Sequence, residues 1–362
     1  MSGTSVMTGP PSAADTAADL AEERHRGEVV ASMRHYYLFF RKAIVERLRR
    51  HWKKLSPLHL AMLPEGTLEQ RCEAYDRALQ DNQRFFDQVL LSLGQAPSNL
   101  TEYDPSTVEP PKYEYSHWMV PDHHAHKLSG TLHAVTRDWG AECVDERRGV
   151  YAPILEALTT ALPAGSRVVV PGSGLSRLVC EVAGKGMKAQ GNDFDLFMLY
   201  TSSFILNDCP TPMTIHPWCH GLNNRMKHED ALRGVLVPDV APADILEAQE
   251  QRPGGGGGGA EAQGGGRGDR DDDFPRFSMA AGEFLMVYGE DTARSFDGFV
   301  SCFFIDTAPN ILDYVIAIRR LLRPGGVWIN LGPLQYHWSD EFSEFAFTRK
   351  FHIQKVGRGL NF

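Results

Sequence analysis

From Ser166 onward the chain alternates short apolar runs with amphipathic ones, and that alternation is the strongest constraint on its fold. SRVVVP reads as a strand, LSRLVCEVAGKG as a helix closed by glycines, and MKAQGND as a second strand. A helix around Leu196–Leu206 follows, then an irregular stretch and the strand RFSMAA. DGFVSCFFID is nearly continuous in apolar residues, as expected of a strand covered on both faces. NILDYVIAIRRLL is an amphipathic helix that PGG stops before a last strand, VWINLGPL. Parallel strands need crossovers, and the intervening helices supply them. The expected fold is α/β, a doubly wound, mostly parallel, Rossmann-like sheet preceded by a helical N-terminal region.

That N-terminal region divides by composition. Residues 1–26, rich in Ala, Ser, Thr and Pro, read as a disordered tail, and residues 27–140 as helical. In EVVASMRHYYLFFRKAIVERLRRHWKKL, Val30, Met33, Tyr37, Phe40, Ile44 and Leu48 recur at helical steps, and a second helical run covers about Leu68 to Leu93. Residues 95–125 read as a loop, so the tract His123, His124, His126 is expected on a surface loop, with no acidic or cysteine partner in the local sequence to make a metal site. Residues 141–338 form the α/β domain, interrupted at 251–273 by a glycine-rich insert of flexible composition.

A net charge of -9 argues against a general nucleic-acid or anionic-membrane binder. No apolar run approaches the roughly 20 residues of a membrane span. The six cysteines contain no C-x-x-C pair, which fits a reducing compartment, cytoplasmic and also nuclear. Cys209, His216, Cys219 and His220 match no common zinc spacing, so no metal is expected.

Residues 168–178, VVVPGSGLSRL, carry the first chemical signal. A strand, a glycine turn and a helix present backbone N–H groups to a nucleotide. Gly172 and Gly174 allow the tight turn, and Asp193 ends the next strand at the offset where an acid bonds ribose hydroxyls. Arg177 stands where a dinucleotide fingerprint has its third glycine, which speaks against a pyrophosphate and for an adenosyl ligand such as S-adenosyl-L-methionine. Glu283 and Phe284 follow a later strand, where an acid and an aromatic can bracket an adenine.

The chain also resembles the carnosine N-methyltransferase family. The resemblance is carried by RDW (137–139), ERRGVYAPI, VPGSGLSRL, GND, HPWCH with Asn223 and Asn224, PDV, FSMAAGEF, CFFIDTAPNILDY and LRPGGVWINLGPLQYHW, in order from about Arg137 to Trp338. It implies a class I S-adenosylmethionine-dependent methyltransferase acting on a small histidine-containing peptide; a homodimer through the N-terminal helices is a separate expectation. The implied cofactor shell is Arg137, Gly172, Gly174, Asp193, Glu283, Phe284 and Cys302, with Ala134 replacing a family glutamine and the acids at positions 193 and 283 exchanged. The implied substrate side is Asp306 and His337, with His220, Asn223 and Asn224 in a cap over the substrate. A carboxylate such as Asp306 would accept the imidazole N–H, fix the tautomer and stabilise the cation formed on transfer. Its other possible job is to cap the helix that starts near Asn310.

After Trp338 the quoted phrases stop, and residues 339–362 read as a divergent tail too short for a helix and a hairpin, so the last strands and the substrate wall are expected to be incomplete. Three other readings stay open on the residues: a protein histidine methyltransferase, a non-catalytic chain that binds the cofactor or a partner, and a nucleotide-dependent oxidoreductase, against which Arg177 speaks.

Overall fold

The computed structural model describes residues 13–98, 120–221, 227, 229–247 and 274–335. The chain divides into two compact units, Met1–Gly130 with Cys219–Leu232, and Thr131–Trp218 with Arg233–Phe362. The boundary therefore falls inside a helix rather than near residue 140, and the segment 219–232 belongs with the N-terminal residues. The insert 251–273 and the tail 339–362 lie outside the described residues. No helix among the described residues is long and apolar enough to cross a membrane.

The first unit is helical: α1 (Ala13–Arg34), α2 (Tyr36–Arg41), α3 (Arg47–Trp52), α4 (Pro57–Ala61), α5 (Thr67–Ser92) and the start of α6 (Asp122–Trp139). Met33, Tyr36, Tyr37, Phe40 and Ile44 are buried with Tyr75, Leu79, Phe85 and Phe86 of α5. The expected single helix over 27–55 is broken at His35 and widened into a π turn at Lys42–Glu46. Gln83 repairs the first break. Its Oε1 accepts the Tyr37 N–H at 2.8 Å, and its Nε2 donates to the Met33 carbonyl at 3.0 Å. Leaving those buried backbone groups unpaired would cost about 1–3 kcal/mol each.

Two sequence expectations are corrected here. Residues 13–26 are not a disordered tail but the first half of α1. Their Ala, Leu, Glu and Arg residues are strong helix formers, continuous with a helix anchored by the buried Val29 and Met33. Likewise His123, His124 and His126 are not on a loop but in the opening turns of α6. His124 sits on the same buried stripe as Leu128, Leu132, Val135 and Trp139, a helical period in which its imidazole takes an apolar residue's place.

The second unit adds α7 (Val144–Ala161), β1 (Arg167–Pro171), α8 (Arg177–Gly184), β2 (Lys188–Asp193), α9 (Leu196–Ser203), β3 (Met213–Ile215), β4 (Val235–Val237), α10 (Pro242–Glu247), β5 (Phe277–Ala281), α11 (Phe284–Val287), β6 (Phe296–Cys302), α12 (Ile311–Leu321) and β7 (Leu322–Leu331). Five strands form one parallel sheet in the order β5-β2-β1-β6-β7. β3 and β4 make a separate antiparallel pair within the irregular stretch. The valines of β1 alternate between two cores. Val168 and Val170 pack with Leu158 of α7 and Val179 of α8, whereas Val169 packs with Phe299, Phe304 and Ile318 on the other face. Strand order reverses between β1 and β6, the topological switch point at which open α/β sheets bind ligands beyond the carboxyl ends. The expected fold class holds over the described residues.

One buried charge cluster ties the helices beneath that edge. The Asp239 carboxylate accepts from Arg147 of α7 and, at 2.7 Å, from Arg177 of α8. Arg147 also donates to the carbonyls of Arg137 and Gly140 at the end of α6, and Arg177 lies over the Trp139 ring at 4.8 Å. Burial works to lower the Arg177 pKa, but its bonds to Asp239 and Glu181 outweigh burial and raise it, so the guanidinium stays charged. Removing the shared anion leaves two buried cations short of a partner. Asp239→Asn should therefore lower the unfolding free energy by roughly 3–5 kcal/mol, read as a drop in urea midpoint. An exposed control such as Asp145→Asn, whose partner Arg148 is also exposed, should barely move it.

Candidate active site

The site is built where β1, β2 and β6 end. After Pro171 the backbone turns through Gly172 (φ +61), Gly174 (φ +53) and Ser176 (φ +63), three left-handed residues in five positions. A Cβ on Gly172 would meet Cδ2 of Phe304 at 2.5 Å, and that ring is stacked on Tyr314 at 5.0 Å, so glycine is demanded by sterics as well as by φ. Ser176 is a non-glycine in this region. Its Oγ lies 3.1 Å from the Met279 sulfur and accepts from Ser202 at 3.0 Å, which holds the strained residue in place.

Asp193 closes the turn from the neighbouring strand. Its Oδ2 accepts the Gly174 N–H at 2.8 Å, and its Oδ1 accepts the Asp195 N–H at 3.0 Å. Each carboxylate oxygen keeps a further lone pair, the acceptor set a ribose diol requires. Burial raises the Asp193 pKa above its ordinary value, while the N–H groups of Asp195 and Gly174 pull the other way. The opposite wall comes from α6. Arg137 Nε donates to Asp138 Oδ1 at 2.8 Å, while its side chain stays 53% exposed, enough to meet a ligand carboxylate. The Asp138 charge holds the Arg137 pKa above its usual range. Tyr151 donates to the same carboxylate at 3.2 Å, and Asp138 Oδ2 lies 3.9 Å from where a Gly174 Cβ would stand. The charges of Arg137 and Asp138 both act on Cys302, and burial pushes that thiol up to about 12, so it contributes as a neutral polar wall rather than a nucleophile. The structure thus brings together Arg137, Gly172, Gly174, Asp193 and Cys302, and the cradle and its donors fit an adenosyl amino-acid ligand.

Other expected residues have different surroundings. Glu283 is exposed and caps α11, its Oε2 accepting the Met286 N–H at 3.0 Å. Phe284 is not an adenine-stacking ring: its side chain is buried among Tyr288, Phe299, Phe304 and Tyr314. Asp306 lies in the 3-10 turn Ile305–Thr307 beyond β6 and is buried, its Oδ2 accepting the Gln335 N–H at 2.9 Å. It does not cap α12, because Asn310 does so through the Leu312 N–H. His220 falls in the first unit, 2.5 Å from the Tyr36 hydroxyl and edge-on to Phe40. Asn223, Asn224 and His337 lie outside the described residues.

Sequence reasoning missed Asp138 and Tyr151, which position Arg137, and three exposed apolar side chains just past strand ends: Phe194 after β2, Phe303 after β6 and Met286 after β5. Topology sets all three at one sheet edge. A local signal existed for Phe194 alone, a large apolar residue immediately after the strand-terminal Asp193.

The profile of the carnosine N-methyltransferase family matches residues 115–355, so it continues past Trp338, where the quoted phrases stop. The carnosine N-methyltransferase of Schizosaccharomyces pombe is 42% identical over 224 residues, 59% of this chain and 53% of that protein. That of Mus musculus is 31% identical over 360 residues, 95% of this chain and 79% of that protein. The chain therefore spans about half the length of the S. pombe relative and about four-fifths of the mouse one. Among solved structures it aligns with a SAM-dependent methyltransferase from Thiobacillus denitrificans in complex with S-adenosyl-L-homocysteine at 14% identity and a TM-score of 0.29, over 56% of this chain and 54% of that one. That superposition is too loose to argue from.

The two tasks of Asp193 separate on substitution. Asp193→Asn keeps one acceptor for the turn but loses the charge, so S-adenosyl-L-methionine affinity by calorimetry should fall about ten- to a hundredfold, the worth of a hydrogen bond to a charged group. An acid with a raised folded pKa holds its proton more tightly folded than unfolded, so its ionisation penalises folding in full only above that raised value. Relative to Asp193→Asn, the wild type should accordingly gain stability as pH falls through the raised value toward 3.8, read from urea midpoints.

Proposed function

The chain belongs to the carnosine N-methyltransferase family, and on that premise we propose that it moves a methyl group from S-adenosyl-L-methionine to an imidazole nitrogen of carnosine or a related histidine-containing peptide. The observation that carries the reading is Asp306, a buried carboxylate at the carboxyl edge of the sheet. One of its oxygens, Oδ2, is fixed by the Gln335 N–H at 2.9 Å, which leaves Oδ1 as the oxygen offered to a substrate. A carboxylate only accepts hydrogen bonds, so one held at the ligand edge suits a substrate N–H.

The cofactor supplies an electrophilic methyl on sulfur. The chain's own residues do the rest. Asp193 and the turn at Gly172–Gly174 hold the adenosyl end, and Arg137, oriented by Asp138, holds the amino-acid end. Asp306 accepts the imidazole N–H, leaving the lone pair on the other ring nitrogen, and its charge offsets the positive charge the ring acquires. It then takes the proton that the methylated ring must lose. Alkyl transfer needs alignment more than acid catalysis, so positioning supplies most of the acceleration. Six free cysteines support a reducing compartment, the cytoplasm or nucleus.

Incubation of the full chain with methyl-labelled S-adenosyl-L-methionine and carnosine tests this. The wild type should label the dipeptide, and Asp306→Asn should still bind the cofactor while transfer drops by about two to four orders of magnitude. Equal labelling in both would remove Asp306 from the mechanism. Cofactor binding with no labelled carnosine in the wild type would leave the non-catalytic reading, and label in histidine-containing protein alone would redirect the substrate.

A further inference from the structure

Away from the sheet, α1 and α6 bring together His25, Glu28 and His124, whose ligand-capable atoms all lie within 4.8 Å of one another. Among the described residues this is the one grouping of three such side chains. His25 and Glu28 stand three residues apart on α1 and share its face. Both are exposed, whereas His124 is buried, so the group is a surface-opening pocket with one imidazole at its floor.

Ser32 decides which nitrogen that imidazole offers. Its hydroxyl donates to the Glu28 carbonyl at 2.7 Å, and the same Oγ lies 2.8 Å from His124 Nδ1 across 92 residues of sequence. A hydroxyl has one proton, and this one is engaged on the carbonyl. Toward His124 the oxygen therefore acts as acceptor, which puts the ring proton on Nδ1 and the lone pair on Nε2. A ring N–H anchored on a fixed acceptor is the outer support that orients a metal-ligating histidine.

We propose that His25, Glu28 and His124 bind a divalent cation of the zinc class, which clips α1 to α6 within the first unit. Two imidazoles and one carboxylate suit zinc with water completing the sphere, and they disfavour magnesium and calcium, which take oxygen ligands. The acidic partner absent from the sequence around the HHAH tract is supplied by α1. Without a cation, an exposed Glu28 beside two imidazoles is a surface pair worth about 0–1 kcal/mol, little reason for the Ser32 relay.

The full chain, stripped with chelator, is titrated with cobalt(II) by visible absorption and with zinc by calorimetry. The expected result is one equivalent bound without cobalt–thiolate charge-transfer bands, at least tenfold weaker in Glu28→Gln and in His25→Ala. Both residues are exposed, so neither change threatens the fold. Ser32→Ala, with every ligand intact, should weaken binding about ten- to a hundredfold, the usual effect of losing such a support. No binding at millimolar metal overturns the proposal. So does equal affinity in wild type, Glu28→Gln and His25→Ala, or a spectrum dominated by thiolate bands, either of which sends the metal to the cysteines.

Discussion

Two guanidiniums buried on one carboxylate hold the ligand-binding half of this molecule in register. Asp239 joins Arg147 of α7 to Arg177 of α8, and Arg147 in turn secures the carbonyls that end α6. Trp139 sits between, its indole N–H donating to the Leu175 carbonyl inside the glycine turn at 3.0 Å. Everything the cofactor edge needs from α6, namely Arg137 and its partner Asp138, hangs on that junction. A buried ionic network of this kind is stable only when complete, since each missing partner strands a desolvated charge. That is why the short phrases RDW, ERRG, SGLSRL and PDV, distant in sequence, occur together: they are the members of one network.

The glycine turn also changes meaning once its surroundings are known. Gly172 yields space to Phe304, a core ring stacked on Tyr314, so part of the G-x-G pattern answers packing rather than ligand approach. Gly174 is the position whose N–H meets Asp193, and Ser176 stores about 1–2 kcal/mol of left-handed strain. Arg177, which removes the third glycine of a dinucleotide fingerprint, has a positive reason to be there as the α8 end of the Asp239 cluster.

Legibility in the sequence followed the range of the interaction. Strands and crossover helices were readable because alternation and helical period are local signals, and the sheet follows them from β1 to β7. What escaped depends on distant partners. Arg177 meets Asp239 across 62 residues, and Gln83 repairs the α1–α2 break across 46. His124 escaped for a different reason: a histidine on a buried stripe looks polar in sequence, and only the packing of α1 against it shows that it occupies an apolar position. Phe284 misled in the opposite sense, since an aromatic beside a strand-end acid reads equally well as ligand contact or core, and here the core claims it.

Three acids follow the strands of the sheet, and their environments sort their roles. Glu283 is exposed and its carboxylate caps a short helix, so its presence is explained without any ligand. Asp193 is partly buried, and the turn's own N–H groups meet it without cancelling the cost of desolvation. Asp306 is buried with one oxygen fixed by the Gln335 N–H, and the cap it was suspected of serving belongs to Asn310. At Asp193 burial disfavours the charged form, so folding alone gives little reason to keep a carboxylate there. A ligand that brings hydroxyls to that carboxylate would supply the reason. The edge therefore presents two acids drawn out of water and held by backbone N–H groups, Asp193 and Asp306, and one exposed acid, Glu283.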